Sequence, residues 1–440
     1  MLDIKYIRGN ADKVQKAAEN KNIEIDVKKF LILDQERVGL IKEIEALQEK
    51  KNKINTQIKE ACNDQERKKI IAKGKEIKEK IDVVKLQVKD IEERYNTLIK
   101  KIPNIPTEDT PIGKTEDENV VVYEWGKKPE LKFDAKNHWE LAQNNDWIDK
   151  ERAAKVTGAR FAYLKGDLVI LQLALMQYVM DTLTDEEKIA EIVNHFDVGD
   201  IETKPFTPVF PPFMIRTEMF DAMDRLEPRD DRYKIEGEDL WLQGSAEHVL
   251  GALHCNEILN EEDLPFRYIG YATSFRREAG TYGKDMEGII RMHQFDKLEM
   301  EIIATPEQGL NEHFLTIAVQ EYLLRNLKLP YRKLLKCTAD IGKPNVRGVD
   351  MDVWLPGQKA YRETHTADYM TDYQSRRLKT RVRLADGTLA YVHTIDATAF
   401  ACGRALVAIL ENFQQTDGSV VVPEALRPYM SGGKDKITKK

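Results

Sequence analysis

Between residues 77 and 98 the apolar positions Ile77, Ile81, Val84, Val88, Ile91, Tyr95 and Leu98 recur at alternating spacings of four and three, the seam of a coiled coil. Leu40, Ile44, Leu47, Ile54, Ile58 and Ala61 repeat the pattern less evenly, interrupted at Lys51. From Val27 to about Ile102 there is no proline, glycine occurs only at Gly39 and Gly74, and Lys and Glu are dense. The stretch is predicted as two antiparallel helices with a turn at Asn63-Asp64. At 1.5 Å per residue, helices of roughly 35 residues make an arm of about 50 Å. The pattern stops at Pro103-Asn104-Ile105-Pro106 and Pro111, because proline lacks an amide donor and restricts the residue before it. A domain boundary is expected there, dividing the chain into 1–106 and 107–440.

After the boundary the period changes. Short β-rich runs at Val120 to Tyr123, Val209 to Ile215, Phe266 to Thr273 and Tyr391 to Thr394 mix with helical stretches such as Asp167 to Thr184. Their order lacks a steady βαβ rhythm, so the fold class is α+β: a helical hairpin followed by an antiparallel sheet flanked by helices. Two strand-like segments, Ser274-Phe275-Arg276-Arg277-Glu278-Ala279-Gly280 and Arg291 to Glu301, are predicted to pair across a glycine-containing loop. Alternation places Arg276 with Glu278 on one strand, and Phe295, Lys297 and Glu299 on the other, facing a common cleft. Arginine's planar fork suits phosphate oxygens, and phenylalanine offers a flat surface to a purine. The same pattern also suits a surface hairpin laced with salt bridges, and spacing alone leaves both readings open.

Composition narrows the choice. The chain has 440 residues, 42% hydrophobic and 32% charged, which suits two soluble globular domains. No apolar run approaches the ~20 residues of a membrane span, and Met1-Leu2-Asp3-Ile4-Lys5 lacks the pattern of a secretory or transit leader, so a cytoplasmic location is expected. Cys62, Cys255, Cys337 and Cys402 are widely separated and form no CxxC pair, indicating reduced thiols rather than disulfides or zinc. The net charge of −7 is unevenly spread: residues 27–101 hold 20 Lys/Arg against 14 Asp/Glu, a net +6, and the remainder carries −13. The basic arm is either a solvated helical face or a surface for an RNA backbone. There is no GxxxxGK[ST] or GxGxxG loop, so a nucleotide would be held another way.

Arg276-Arg277-Glu278-Ala279-Gly280, a loop, and Arg291-Met292-His293-Gln294-Phe295-Asp296-Lys297-Leu298-Glu299 closely resemble motif 2 of the class II aminoacyl-tRNA synthetases in its seryl form. Pro211-Pro212-Phe213-Met214, with the helix from Asp167, resembles motif 1, and Gly403 to Asn412 resembles motif 3. The resemblance spans essentially the whole chain. It implies ATP-dependent activation of L-serine to the adenylate and transfer to tRNA(Ser), with tRNA(Sec) left open as a second acceptor. Residues 1–106 would be the tRNA-binding domain and 107–440 the catalytic domain of a homodimer. Neither a membrane nor DNA is expected as a partner.

Residue by residue, the resemblance implies that Arg276 grips the α-phosphate and the amino-acid carboxylate. Arg276, Glu363 and Arg404 are the catalytic candidates. Phe295 and Arg404 would sandwich adenine, Glu278 would read its amino group, and Arg291 would hold the outer phosphates. Arg277, Met292, Thr364, His365 and Thr366 complete the ATP site, and Glu363 with Thr366 would bind Mg²⁺ together with ATP. Ser245, Ala246 and Glu247 match the element around the substrate amino group, and Glu299 matches the acid that receives the hydroxyl. Thr398 and Asp396 line the same pocket.

Several positions depart from the family pattern: Ser245 for threonine, Thr366 for serine, Asp396 for asparagine, and Asp368-Tyr369-Met370 for a small polar run. Asp396 adds a carboxylate to a pocket already holding Glu247 and Glu299, which is expected either to raise neighbouring pKa values or to favour a more cationic substrate. Two alternatives therefore stand beside serine activation: the same chemistry with another amino acid, and an RNA-binding paralogue without catalysis. A carrier-protein ligase is a further rival, disfavoured by the long arm.

Overall fold

The computed structural model describes residues 1–61, 63–279 and 288–438. Cys62 and Gly280 lie outside the described residues, as does the loop predicted after Gly280. The chain divides into two compact units, Met1–Ile105 and Pro106–Lys440.

In the first unit, helices Val27–Glu60 and Asp64–Ile99 pack along each other. The Asp26 side chain accepts from the Lys29 amide and that of Asn63 from the Glu66 amide, capping both helix starts. The predicted turn residue Asn63 is thus the cap of the second helix. The 4–3 stripe is the packed seam: Ile81, Val84 and Ile91 are buried and the remaining seam residues, Lys51 included, are half-buried. A two-helix hairpin gives each helix only one neighbour, so most seam positions keep an exposed flank. Leu2, Ile7, Val14, Val27, Phe30, Ile99 and Ile102 form a core at the base. There Asp34 is buried between Arg8 and Arg37.

The second unit is built on an eight-stranded sheet. In chain order its strands are β1 (Val120–Trp125), β2 (Thr207–Val209), β3 (Phe266–Phe275), β4 (Gln294–Ala304), β5 (Tyr331–Leu335), β6 (Arg347–Leu355), β7 (Ala360–Thr371) and β8 (His393–Ala401). Their spatial order is β1-β5-β6-β7-β8-β4-β3-β2, and only the β2–β3 pair is parallel. Two predicted runs divide. Val209 to Ile215 breaks at Pro211-Pro212, which lack amide donors; Thr207–Val209 joins the large sheet, and Met214–Arg216 pairs with Leu240–Leu242. Tyr391 to Thr394 breaks at Val392, with Leu389–Tyr391 in a separate three-stranded sheet.

Alternation decides what each face carries. On β4, Leu298, Met300, Ile302 and Ala304 point into the main core, where helices Gly309–Asn326 and Cys402–Asn412 pack on the sheet. Phe295, Lys297, Glu299 and Glu301 alternate with them and belong to the opposite face. The register carries polar residues across that face: Glu301 opposes Asp396, Asp396 opposes Asp368, Glu299 opposes Thr398, and Asp350 opposes Thr366. One side of the sheet is core and the other is a polar floor.

Candidate active site

The polar floor opens into a chamber of about 510 Å³, within the size range of ligand sites. A smaller cavity adjoins it, lined by Arg276, Glu278, Met292, Phe295, Thr364, Thr366, Thr398 and Arg404, among others. The two share Arg276, Ile290, Arg291, Lys297, Glu363, Thr366 and Arg404.

Arg276 and Glu278 reach this space by a route that strand alternation did not predict. The β3–β4 ladder ends at Phe275–Gln294. Beyond it the Arg276 amide still donates to His293 O at 3.0 Å, but the Arg277 amide turns to Asp231 O. Glu278 adopts a left-handed backbone with φ of 53°, and its carboxylate accepts from Arg291 at 2.6 Å. The two acidic and basic partners therefore face the cavity from a turn, not from a strand. Arg276 Nε donates to Gly244 O at 3.0 Å, and its guanidinium lies 5.5 Å from the Phe295 ring centroid. Arg404 starts the helix that follows β8 and donates to the Glu363 carboxylate at 2.9 Å.

On the amino-acid side Lys297 is the hub. Its Nζ is 2.6 Å from Glu299 Oε2, 3.7 Å from Glu247 Oε2, and donates to Ser245 Oγ at 3.1 Å. Lys297 and Glu299 are two apart on β4, so they are partners along one strand rather than across two. Glu247 reaches them because Gly270 on β3 has no side chain: a Cβ there would lie 2.6 Å from Leu250 and 3.2 Å from Ala246. That gap lets the short helix Glu247–Leu250 lie on the floor.

Burial dominates the electrostatics. Glu299 is pushed well above the usual carboxylate range by desolvation, against the pull of Lys297. Glu301 is pushed up likewise, by burial and then by Asp396 and Glu247. Asp396 rises to about 7 because burial outweighs its Arg225 partner. Burial would also raise Glu247, yet Lys297 and Arg225 offset it and hold that carboxyl below its ordinary value. Asp350 rises to about 8 through burial, with Lys336 opposing.

The predicted residues do not all converge. Arg277 is exposed, 5.9 Å from the Tyr233 ring, and lines neither cavity. His365 lies on the core face of β7 against Phe400, its Nδ1 2.8 Å from Thr364 Oγ1. Ala246 is buried beneath Glu247. Conversely, Arg225, Lys336, Asp350 and Glu301 were not singled out from sequence. Arg225 sits in Asp224-Arg225-Leu226-Glu227-Pro228, which carries no periodic signal, and only the fold brings it to the floor.

Glu363, Thr366 and Asp350 form an all-oxygen set beside the shared cavity, which suits a hard divalent cation that also binds phosphate. The carboxylates of Glu247, Glu299 and Asp396 come within 4.8 Å of one another. Their charge is already met by Lys297 and Arg225, each 2.6 Å from a carboxylate oxygen, so this trio is the poorer metal site.

Residues 1–106 match the model of the seryl-tRNA synthetase N-terminal domain, and residues 232–413 match the class II tRNA synthetase core domain (G, H, P, S and T). The chain is 38% identical to a serine–tRNA ligase from Trichlorobacter lovleyi and 38% identical to one from Syntrophotalea carbinolica, covering 100% of both chains in each case. Among solved structures, the seryl-tRNA synthetase from Pyrococcus horikoshii complexed with ATP matches with a TM-score of 0.89 at 36% identity, covering 100% of each chain. The cytoplasmic serine–tRNA ligase from Naegleria fowleri in complex with AMP matches with a TM-score of 0.83 at 27% identity, covering 99% of this chain and 97% of that one.

Proposed function

This chain belongs to the seryl-tRNA synthetase family, activating serine with ATP and loading it onto tRNA, and we propose that the polar floor of the sheet is where both substrates meet. The observation that carries this is the continuity of the two cavities through Arg276: phosphate-suited arginines lie on one side, and the Lys297–Glu299–Glu247 cluster lies on the other.

Adenine enters between Phe295 and Arg404, with Glu278 reading its amino group and Arg291 released toward the outer phosphates. Arg404 must leave Glu363 to stack, which frees the Glu363 carboxylate. Glu363, Thr366 and Asp350 would hold Mg²⁺ together with ATP, and the ion would neutralise phosphate charge. Glu247 takes the serine ammonium and Glu299 the hydroxyl. Glu299 Oε2 already lies 2.6 Å from Lys297 Nζ, so its buried Oε1 is the atom offered to the serine hydroxyl. An alanine side chain would leave that oxygen without a hydrogen-bond partner, which is the basis for rejecting alanine.

The serine carboxylate then attacks the α-phosphorus; its oxygen bonds to phosphorus as the bond to the bridging oxygen breaks and pyrophosphate departs. No proton is transferred, because the attacking group is already ionised. Arg276 holds both reacting groups and meets the charge that builds on the phosphoryl oxygens. In the second step a terminal ribose hydroxyl of tRNA attacks the adenylate carbonyl; its oxygen forms the ester as the carbonyl–phosphate oxygen bond breaks, and AMP leaves, its phosphate able to take up the hydroxyl proton. The basic arm holds the acceptor, tRNA(Ser), by shape and backbone, with tRNA(Sec) left open as a second acceptor of the same mode. No described helix is long and apolar enough to cross a membrane.

Homodimer formation is supported by an exposed apolar patch: Leu173 is 54% and Phe210 81% exposed. Phe210 and Phe213 pack on Tyr271, whose hydroxyl shares Asp296 with Gln172, the neighbour of Leu173. A patch of this kind marks an interface. The test of the whole reading is ATP–pyrophosphate exchange with purified protein, Mg²⁺ and each amino acid separately. Exchange driven by serine supports it, and exchange driven by another amino acid, or by none, overturns it.

A further inference from the structure

Arg225 sits where the family resemblance assigns nothing. Its Nη2 donates to Asp396 Oδ2 at 2.6 Å, and its Nε lies 3.5 Å from Glu247 Oε1, an ion-pair distance. The guanidinium is mostly buried, its side chain 16% exposed. Asp396 is one of the departures from the family pattern, and its carboxylate lies within 4.8 Å of those of Glu247 and Glu299. Without Arg225, three carboxylates would converge where one ammonium and one hydroxyl must bind. Such a pocket would suit a second cation on the substrate.

We propose that Arg225 is a specificity-determining residue: by occupying Asp396 it removes the third acid from the pocket and so selects a β-hydroxy over a β-amino α-amino acid. The inference rests on Glu247 being the ammonium site and Glu299 the hydroxyl site, as proposed above. The pair is matched in both directions. If Asp396 is neutralised, Arg225 loses its hydrogen-bonded partner and keeps Glu247 and Asp368 as neighbouring carboxylates; at Glu247 it competes with the substrate ammonium. If Arg225 is neutralised, Asp396 is left beside Glu299. Removing both takes away the Arg225 cation and the Asp396 acid together, so Lys297, Glu247 and Glu299 keep their mutual contacts with no net change of charge around them.

The experiment is ATP–pyrophosphate exchange with serine and with 2,3-diaminopropionate on the full-length protein and four variants. Arg225→Met should raise the serine KM about tenfold, a coupling of ordinary size for contacting charges, with kcat moved less, and should shift the KM ratio toward 2,3-diaminopropionate. Asp396→Asn should raise the serine KM without that shift. The double variant Arg225→Met/Asp396→Asn should recover a serine KM within a few-fold of the starting protein, which also shows that the singles are not merely misfolded. A double variant no better than either single, or an Arg225→Met protein with unchanged amino-acid preference, overturns the proposal. Glu247→Gln separates the two readings: unchanged serine KM in this variant sinks the ammonium assignment itself, whereas a raised KM with inert Arg225 variants sinks only the role of Arg225.

Discussion

At the scale of single residues, the site is a set of charges whose worth depends on burial. Arg276, which lines both cavities, is the residue to which the proposed mechanism gives the phosphoryl charge. Arg276→Ala is expected to lower kcat for exchange by about 10²–10³, the usual loss for one donor aimed at developing charge, with thermal stability unchanged; stopped-flow or steady-state exchange beside a melting curve checks both. Asp396 makes a pH prediction. Its folded pKa, about 7, lies above the ordinary carboxylate value because burial wins over Arg225. Its stabilising contribution is therefore fully present below about pH 4 and is lost as pH rises through 7. The melting temperature should fall across that window, and Asp396→Asn should flatten the fall. Residue identities here were legible only by resemblance: Phe295, Lys297 and Glu299 alternate visibly along β4, but nothing in the spacing joins them to Glu247, which comes from another segment and reaches them over Gly270.

At the scale of elements, the helical arm was the most legible part of the chain. The 4–3 stripe, the absence of proline and the capping residues agree with one another, and local consistency of that kind leaves few alternatives. The hairpin has a thin core, so truncating a buried seam residue should be costly. Ile81→Ala should destabilise the first unit by about 2–4 kcal/mol, seen as loss of helical signal on heating. The basic side chains near the turn carry a separate expectation. Replacing Lys50, Lys51, Lys53, Arg67, Lys68 and Lys69 with Gln should weaken tRNA binding and flatten its salt dependence, measured as tRNA affinity at several salt concentrations, while amino-acid activation is unaffected. The strand containing Arg276 was read less well. Alternation extends a strand until its ladder ends, and that end is set by the Arg277 amide pairing with Asp231, a residue 46 positions earlier.

At the scale of the whole molecule, the proposed function gives tRNA binding to the first unit and amino-acid activation to the second. Deleting residues 27–101 should abolish tRNA charging and leave adenylate formation largely intact; loss of both activities would contradict a separable arm. Leu173→Glu should convert the proposed dimer to a particle near the chain mass of 50.8 kDa in sedimentation. The amino-acid sequence by itself determined the helical hairpin, the proline boundary, the alternating face of β4 and, through its motifs, the family. Each of these is a local pattern, written in spacings of two to four residues or in contiguous runs. Only the tertiary structure decided the left-handed turn that aims Glu278 at Arg291, the convergence of Glu301, Asp396 and Asp368 on one buried row, and the pairing of Arg225 with Asp396 across 171 positions of chain. Those features arise from strand register and from the cost of burying charge, and both are properties of distant segments brought together.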